Sequence, residues 1–447
     1  MPHMDSPFAR LACLRPAFIK ATMTDLRTPR RLLASSFLLA ALGAGPALAD
    51  GPMLGATVAG LIEHARLHNP DFAAQRAEAE AAHERIEPAG ALPDPKFQIE
   101  LMDTTNTMRG GRTTILPGEV GETRYRVVQS FPAWGKRELD VRAATARAGR
   151  ADAGREAVWL ELSASIKAAW LRYYAADREA VLNRDALRLL QGLEEITLSR
   201  YRLGLLPQQA VLRAQREITA QRLSLVAVEQ RRRTATAALN ALLARTPGSP
   251  LAAPAEPAPL ADLPPIDQLL THTRDRNPLL AAEAAGVKAA RFERDRTWRD
   301  RYPDFSIGLT NNRPRGGESS WDLMFEVMIP LQQSARRARE REATYMLTAA
   351  DARRDAAEAK LHGELGSAHA AYTAGHDTLR LLRGTLLPQA EATRDASRSA
   401  FSAGSVDFDT VLEAERQLVD TRLALLQADL DTRLALTELE KIAGDLP

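Results

Sequence analysis

The sequence predicts a mainly α chain carrying a small complement of β-strands and built as two tandem copies of one plan. Three observations carry this expectation. Only 5% of the 447 residues are aromatic, while Ala, Leu, Arg, Glu and Gln abound, a mixture that favours long helices over a thick globular core. Segments of the first half recur about 200 positions later. Two stretches run for dozens of residues without a strong helix breaker: from Trp134-Gly135-Lys136 to Gly204, and from Gln333 to Gly404 apart from Pro388.

The repeat sets the order of elements. Leu61 through Asn69-Pro70 recurs as Leu269 through Asn277-Pro278, each followed by an Ala/Glu-rich helix. Pro93-Asp94 and Pro303-Asp304 each open an alternating stretch. Tyr201-Arg202-Leu203-Gly204 through Val226 aligns without a gap to Phe401-Ser402-Ala403-Gly404 through Leu426. Each half therefore reads as helix, two strands, very long helix, tight turn and helix. The first repeat is placed at 50–250, with strands at 96–104 and 123–131 around a Gly-rich segment. A Pro/Ala linker at 251–265 leads to the second repeat at 266–447, with strands at 304–310 and 321–329. The last strand alternates most clearly: Trp321, Leu323, Phe325, Val327 and Ile329 interleave with Asp322, Met324, Glu326 and Met328, one face apolar and the other polar.

A breaker-free helix of about 67 residues is about 100 Å long at 1.5 Å per residue, far beyond the needs of a globular domain. Pro388 is expected to kink or interrupt the second rod. Leu182, Ala186, Leu189, Leu193, Ile196 and Leu203 keep the 3–4 spacing of a coiled-coil seam. The last helix carries two adjacent seams, Val411/Leu418/Leu425 and Leu412/Val419/Leu426, against the single Val211/Ile218/Leu225 in the first half. Two adjacent stripes imply helix partners on two sides, as in a wall of helices.

Residues 1–49 read as an upstream extension followed by an export signal. Arg27, Arg30 and Arg31 precede the apolar run 32–42, and Ala47-Leu48-Ala49 offers a cleavage site. Without them the chain keeps 53 basic and 55 acidic side chains, too even a balance for a nucleic-acid surface. The one cysteine, Cys13, falls within that leader, so the mature chain has neither a disulfide framework nor a thiolate metal site. No later apolar run reaches the roughly 20 residues of a membrane-spanning helix. A membrane contact would therefore use the strands. Four strands cannot close a barrel, because the smallest transmembrane barrels need eight, and open sheet edges are not tolerated in lipid. Three copies sharing one barrel would supply twelve strands. A soluble periplasmic scaffold with the strands on its own core is the alternative from another class.

The duplicated Asn-Pro, Ala91-Leu92-Pro93-Asp94-Pro95, the strand end Gln129 through Trp134-Gly135-Lys136-Arg137, and the Tyr-x-x-Gly turn resemble the TolC-type outer-membrane efflux proteins. The Leu-Pro-Asp-Pro and Phe-Pro-x-Trp-Gly-Lys versions resemble the branch serving heavy-metal resistance-nodulation-division pumps. The resemblance covers nearly all of the chain beyond residue 49. It implies a trimeric TolC-like fold in the bacterial outer membrane, with a shared 12-stranded β-barrel and a long α-helical coiled-coil barrel reaching into the periplasm. It implies a passive exit duct for metal cations, or alternatively for drugs and other organic compounds. The partners it implies are a homotrimer, a periplasmic adaptor (membrane fusion) protein, an inner-membrane resistance-nodulation-division pump and outer-membrane lipid. Members of the metal branch often carry a lipid-modified N-terminal cysteine, which Asp50 after the expected cleavage site would not provide.

Site expectations follow from these readings. Tyr201, Gly204, Phe401 and Gly404 mark two hairpin tips, where the resemblance places adaptor docking and where glycine permits positive φ. The resemblance implies an acidic periplasmic aperture shortly after the second turn; Thr410 and Glu413 stand at its spacings with Asp407 and Asp409 close by, so the acidic ring is only partly preserved, and Asp407 and Asp409 also suit a helix N-terminus. Trp321, Leu323, Phe325, Val327 and Ile329 would face lipid. His64/His68 and the row His362, His369, His376 read as solvated helix faces, since seven-residue steps leave the row about 10.5 Å apart, too far to share one ion. Met324 and Met328 could offer thioethers to copper or silver, with packing as the simpler role. No nucleophile constellation, phosphate loop, metal motif or cofactor fingerprint is present, so neither an enzyme nor a cofactor is expected.

Overall fold

The computed structural model describes residues 53–107, 112–260 and 262–444, which form one compact unit. The extension and export signal expected over 1–49 lie outside the described residues. In chain order the elements are α1 (Val58–His68), α2 (Pro70–Glu84), α3 (Ile86–Gly90), β1 (Lys96–Met102), β2 (Glu122–Phe131), α4 (Lys136–Arg202) and α5 (Gln208–Leu242). There follow α6 (Ile266–Arg276), α7 (Pro278–Arg299), β3 (Asp304–Pro314), β4 (Ser320–Met328), α8 (Gln333–Leu381), a π-turn (Leu382–Leu386), α9 (Leu387–Ser402) and α10 (Phe408–Ala443). The same order is run twice.

The repeated Asn-Pro has a structural reason. Asn69 caps α2 by accepting from the Phe72 N–H at 3.0 Å, while its amide donates to the Leu242 carbonyl at the end of α5 at 2.9 Å. Asn277 accepts from the Leu279 and Leu280 N–H groups and donates to the Ile442 carbonyl at 2.8 Å. One side chain thus satisfies orphan groups at a helix start and at the end of the returning helix, and proline follows at the first helical position, where its missing N–H costs nothing.

Two quasi-equivalent cores sit beside these caps. Leu61, Ala65, Ile166, Ala169, Trp170, Leu239 and Leu243 form one; Leu269, Leu361, Leu365, Ala368, Tyr372, Leu439 and Ile442 form the other. Residues 245–260 and 262–265 have no regular secondary structure but are strapped down. Ala252 N–H donates to Leu54 O, Tyr173 Oη to Ala252 O at 3.2 Å, and Arg433 to Ala258 O.

The second rod shows how one extra residue is absorbed. Ile166/Leu365 and Ala169/Ala368 occupy matching core positions 199 residues apart, whereas the tips Gly204 and Gly404 are 200 apart. The intervening π-turn takes up the additional residue, as its wider i→i+5 geometry allows. Pro388 therefore does not break the rod. It stands in the first turn of α9, just after the π-turn.

Strand ends differ modestly from expectation. β1 stops at Met102, because Asp103 and Asn106 adopt positive φ and turn the chain. β3 runs on to Pro314, with Asn311 and Asn312 paired to β2 on one side and β4 on the other, although asparagine disfavours strands. β2 begins one residue earlier, at Glu122, and β4 spans Ser320–Met328, leaving Ile329 just beyond it.

Replacing Asn277 by alanine should lower stability by about 1–3 kcal/mol, the loss of one cap and one buried bond. Thermal unfolding of the purified protein measures this, and Asn69→Ala should behave alike.

Candidate functional site

The first candidate region is the sheet. Its four antiparallel strands lie in the order β1-β2-β3-β4, so β1 and β4 are edges. Cross-strand rows on one face read Phe131, Phe305, Val327; then Gln129, Ile307, Phe325; then Phe97, Val127, Leu309, Leu323; then Ile99, Tyr125, Asn311, Trp321. Trp321 is 67% exposed, Leu323 78% and Phe325 67%. At its far end the Arg313 guanidinium lies 5.7 Å from the Tyr125 ring and donates to Asn311 Oδ1 at 2.9 Å, whereas the large apolar side chains of this face stay exposed. Along β2, Tyr125 to Phe131 spans about 20 Å at 3.3 Å per residue. Phe131 stacks on Phe305 at 5.4 Å at one end, and Tyr125 and Trp321 stand at the other. The opposite face carries Glu100, Arg124, Arg126, Thr310 and Asp322, with Arg124 bonding Glu122 at 2.8 Å and Arg126 bonding Thr310 at 3.1 Å. Met324 lies on this second face over Gly308, and Met328 is exposed.

The second region is the pair of helical tips. Gly204 (φ +74°) and Gly404 (φ +75°) turn the chain in the left-handed region, where a Cβ would strain the backbone. The tips pack on each other through Leu193, Ala210, Ala214, Phe401, Phe408, Val411 and Leu412. They are not alike. Tyr201, Leu203 and Leu205 are exposed on the first, whereas Phe401 is buried on the second, beneath the Arg200 guanidinium 4.4 Å from its ring. The expected seam on α4 passes from Leu193 to the fully buried Thr197, which leaves Ile196 and Leu203 exposed.

Polar links tie one hairpin to the other. Arg200 donates to the Phe401 carbonyl at 3.0 Å and the Ser402 carbonyl at 3.2 Å. Arg213 pairs with Asp409. Glu217, only 9% exposed, is clasped by Arg216 at 3.1 Å and by Arg416 from α10. Burial pushes the Glu217 carboxyl up, but the hydrogen bonds from Arg416 and Arg216 outweigh it and hold the group below the usual carboxylate range. Of the three expected aperture acids, Asp407 caps α10 by accepting from the Thr410 N–H at 2.9 Å and from its hydroxyl. Asp409 is engaged by Arg213, and Glu413 is exposed with one contact from Gln417 at 3.4 Å. Arg200, Arg213 and Glu217 were not singled out in the sequence. The identity of Arg216 and Arg416 across the repeat was the available signal.

The histidines have ordinary places. His64 and His68 stack at 4.2 Å, and His68 Nδ1 lies 2.9 Å from the His64 carbonyl. Among the described residues no group of three or more His, Cys, Asp or Glu could hold a metal ion.

The family model for outer membrane efflux proteins matches residues 61–245 and 269–445, most of the chain. The chain belongs to the outer membrane efflux protein family. Its fold is shared with solved outer-membrane channels. OprN superposes with a TM-score of 0.74 at 18% identity over 87% of this chain and 90% of that one. CusC gives 0.74 at 17% identity over 87% and 92%. VceC of Vibrio cholerae gives 0.73 at 19% identity over 87% and 96%. No curated protein sequence matches. The chain is accordingly an outer-membrane efflux channel subunit with a barrel segment and a helical periplasmic portion, and it is not an enzyme.

The Glu217 link should hold at neutral pH and fail in acid. Its depressed carboxyl contributes stability that is present above the ordinary carboxylate range, near pH 4, and that is lost as pH falls through the lower folded value. Amide hydrogen exchange at the two tips, corrected for intrinsic rate, should rise only below about pH 4. Glu217→Gln should produce the same loosening at pH 7.

Proposed function

We propose that three copies of this chain form a passive outer-membrane duct, and that its cargo is heavy-metal cations. The observation that carries the trimer is an apolar sheet face bounded by two unpaired edges. In hydrocarbon each unpaired backbone group costs several kcal/mol, so β4 of one copy must meet β1 of the next. Three copies give twelve strands, within the range of closed barrels. Trp321, Leu323, Phe325, Val327 and Ile329 then face lipid, while Arg124, Arg126, Glu100 and Asp322 line the lumen.

The repeat gives independent support. Leu412 on α10 is 5% exposed because α10 packs against both α4 and the second rod. Its counterpart on α5, Leu212, is 55% exposed, and nearby Leu223 and Val226 are 67% and 68% exposed. A seam covered in one half and bare in the other fits a neighbouring copy that supplies the missing rod. Under this reading Tyr201 and Gly204, with Leu203 and Leu205, and Phe401 with Gly404 present the adaptor-docking tips. Glu413, with Asp407 and Asp409, forms the periplasmic aperture. The links Arg200–Phe401, Arg213–Asp409 and Glu217–Arg416 hold the tips together until an adaptor, coupled to an inner-membrane resistance-nodulation-division pump, spreads them.

The cargo reading rests on the Leu-Pro-Asp-Pro and Phe-Pro-x-Trp-Gly-Lys segments. Identity to CusC, 17%, is no greater than to OprN or VceC, so overall similarity does not select a cargo. Deleting the gene should sensitise the host to copper, silver, zinc, cobalt or cadmium; unchanged metal tolerance with new drug sensitivity would replace metals by organic cargo. Leu223→Asp with Val226→Asp should convert the trimer to monomers. Each charge at that contact costs about 2–3 kcal/mol per protomer, and native mass spectrometry reads the oligomer directly.

A further inference from the structure

The junction between the sheet and the second rod holds a groove that the duct reading does not use. It lies between the end of α7 and the first turns of α8, has a volume of about 440 Å³, and is lined by Trp298, Arg301, Arg337, Glu340, Arg341 and Tyr345, with Thr344 completing the wall. Its charge is unbalanced. Glu340 is the one acid in the lining, is 7% exposed, and is satisfied by Arg301 at 2.7 and 2.8 Å and by Arg336 at 3.7 Å. Arg337 and Arg341 are exposed and make no close ion pair among the described residues, Arg337 acting on the Glu340 carboxylate only at longer range. Glu342, the next acid along α8, follows Arg341 by one residue and so points about 100° away from it. Trp298 and Tyr345 are exposed, and the Arg301 guanidinium stacks 4.2 Å from the Trp298 ring.

Position supplies the ligand class. β4 ends at Met328, and the exposed Ile329 and Leu331 extend the apolar face to the start of α8 at Gln333. The Cα of Arg337 lies about 6 Å and that of Arg341 about 12 Å along the helix from that point, and both side chains lean toward the helix N-terminus and so back toward the bilayer. A lipid headgroup layer is about 5–7 Å deep on each side of the hydrocarbon. Exposed tryptophan with arginine at this level is the composition that anchors proteins at a headgroup boundary. The pair of arginines is not repeated in the first half. Glu138 stands at the matching position to Arg337, 199 residues earlier, and Arg142, the match to Arg341, is paired with Glu138.

We infer that this groove binds the phosphate of an anionic glycerophospholipid from the periplasm-facing leaflet, with Arg337 and Arg341 as the phosphate donors and Trp298 packing beside the glycerol. The inference rests on the sheet spanning the bilayer. Guanidinium groups suit phosphate because their planar fork donates two parallel hydrogen bonds. Three such sites per duct would fix the depth and tilt of the barrel by a headgroup contact, in a chain whose apolar anchor is otherwise the strands.

The test uses the purified full protein in phosphatidylcholine bilayers, with spin-labelled phosphatidylglycerol and spin-labelled phosphatidylcholine compared for the motionally restricted fraction. Wild type should prefer phosphatidylglycerol, and the preference should fall in 0.5 M salt, where screening is short-ranged. Arg337→Gln with Arg341→Gln should reduce it roughly ten- to thirtyfold at low salt, given about fivefold per arginine near an anionic surface. Ten millimolar inorganic phosphate should leave it intact. Equal association of the two lipids with wild type, an unchanged preference in the double variant, or displacement by inorganic phosphate would each overturn the inference. So would a double variant that falls to monomers in lipid-free detergent, since the arginines would then be holding a neighbouring copy. Failure of the wild-type protein to enter the bilayer at all would overturn the membrane reading as well, whereas insertion without preference would overturn this inference alone.

Discussion

Backbone hydrogen bonding inside a hydrocarbon layer is the constraint on which the rest of this structure depends. Water satisfies an open strand edge at little cost, but lipid offers neither donor nor acceptor, so each unpaired group there costs several kcal/mol. The described sheet has four strands, an apolar face about 20 Å tall, and edges at β1 and β4 with no strand partner among the described residues. A chain of this kind reaches a stable state in the outer membrane only by pairing edges with its own copies. The long rods, the tips and the strap at 245–260 and 262–265 then take their places around the axis those edges define.

Duplication makes this economical in sequence. Two halves built on one plan place quasi-equivalent contacts around a ring, so a surface buried within the chain in one half predicts a surface buried between chains in the other. Leu412 and Leu212 are such a pair, while the matched caps Asn69 and Asn277 are satisfied within the chain in both halves. Where the halves depart from each other the departures are local. One residue enters at the π-turn 382–386 without interrupting the rod, and Arg337 in the basic run following β4 is matched by Glu138 after β2.

Much of the architecture was legible in the sequence because it is carried by periodic and punctuated signals. Gly204 and Gly404 fixed both turns, the absence of breakers fixed both rods, and the period-two alternation from Trp321 to Val327 fixed the register of β4. Strand limits were less legible. Asn311 and Asn312 look like loop residues but are held by ladders on both sides, and Asp103 turns the chain by a positive φ that aspartate seldom signals. The tips were located, but their bonding was not. Arg200, Arg213 and Glu217 act across 196 to 201 positions of sequence, and nothing local distinguishes them from solvated charges. Of the aperture acids, Asp407 proves to be a helix cap, and Asp409 is tied to Arg213.

The claim that β1 of one copy pairs with β4 of the next is open to direct chemical test, because the sole cysteine of the chain, Cys13, falls outside residues 50–447. Single cysteines placed along β1 and along β4 can be combined in one chain and oxidised in the membrane, then resolved on denaturing gels. The account predicts that matched pairs yield a covalent ladder ending at three chains, strongest where side chains face each other and weakest one residue out of register. Monomers alone at every pairing, in protein shown to reside in the outer membrane, would contradict it.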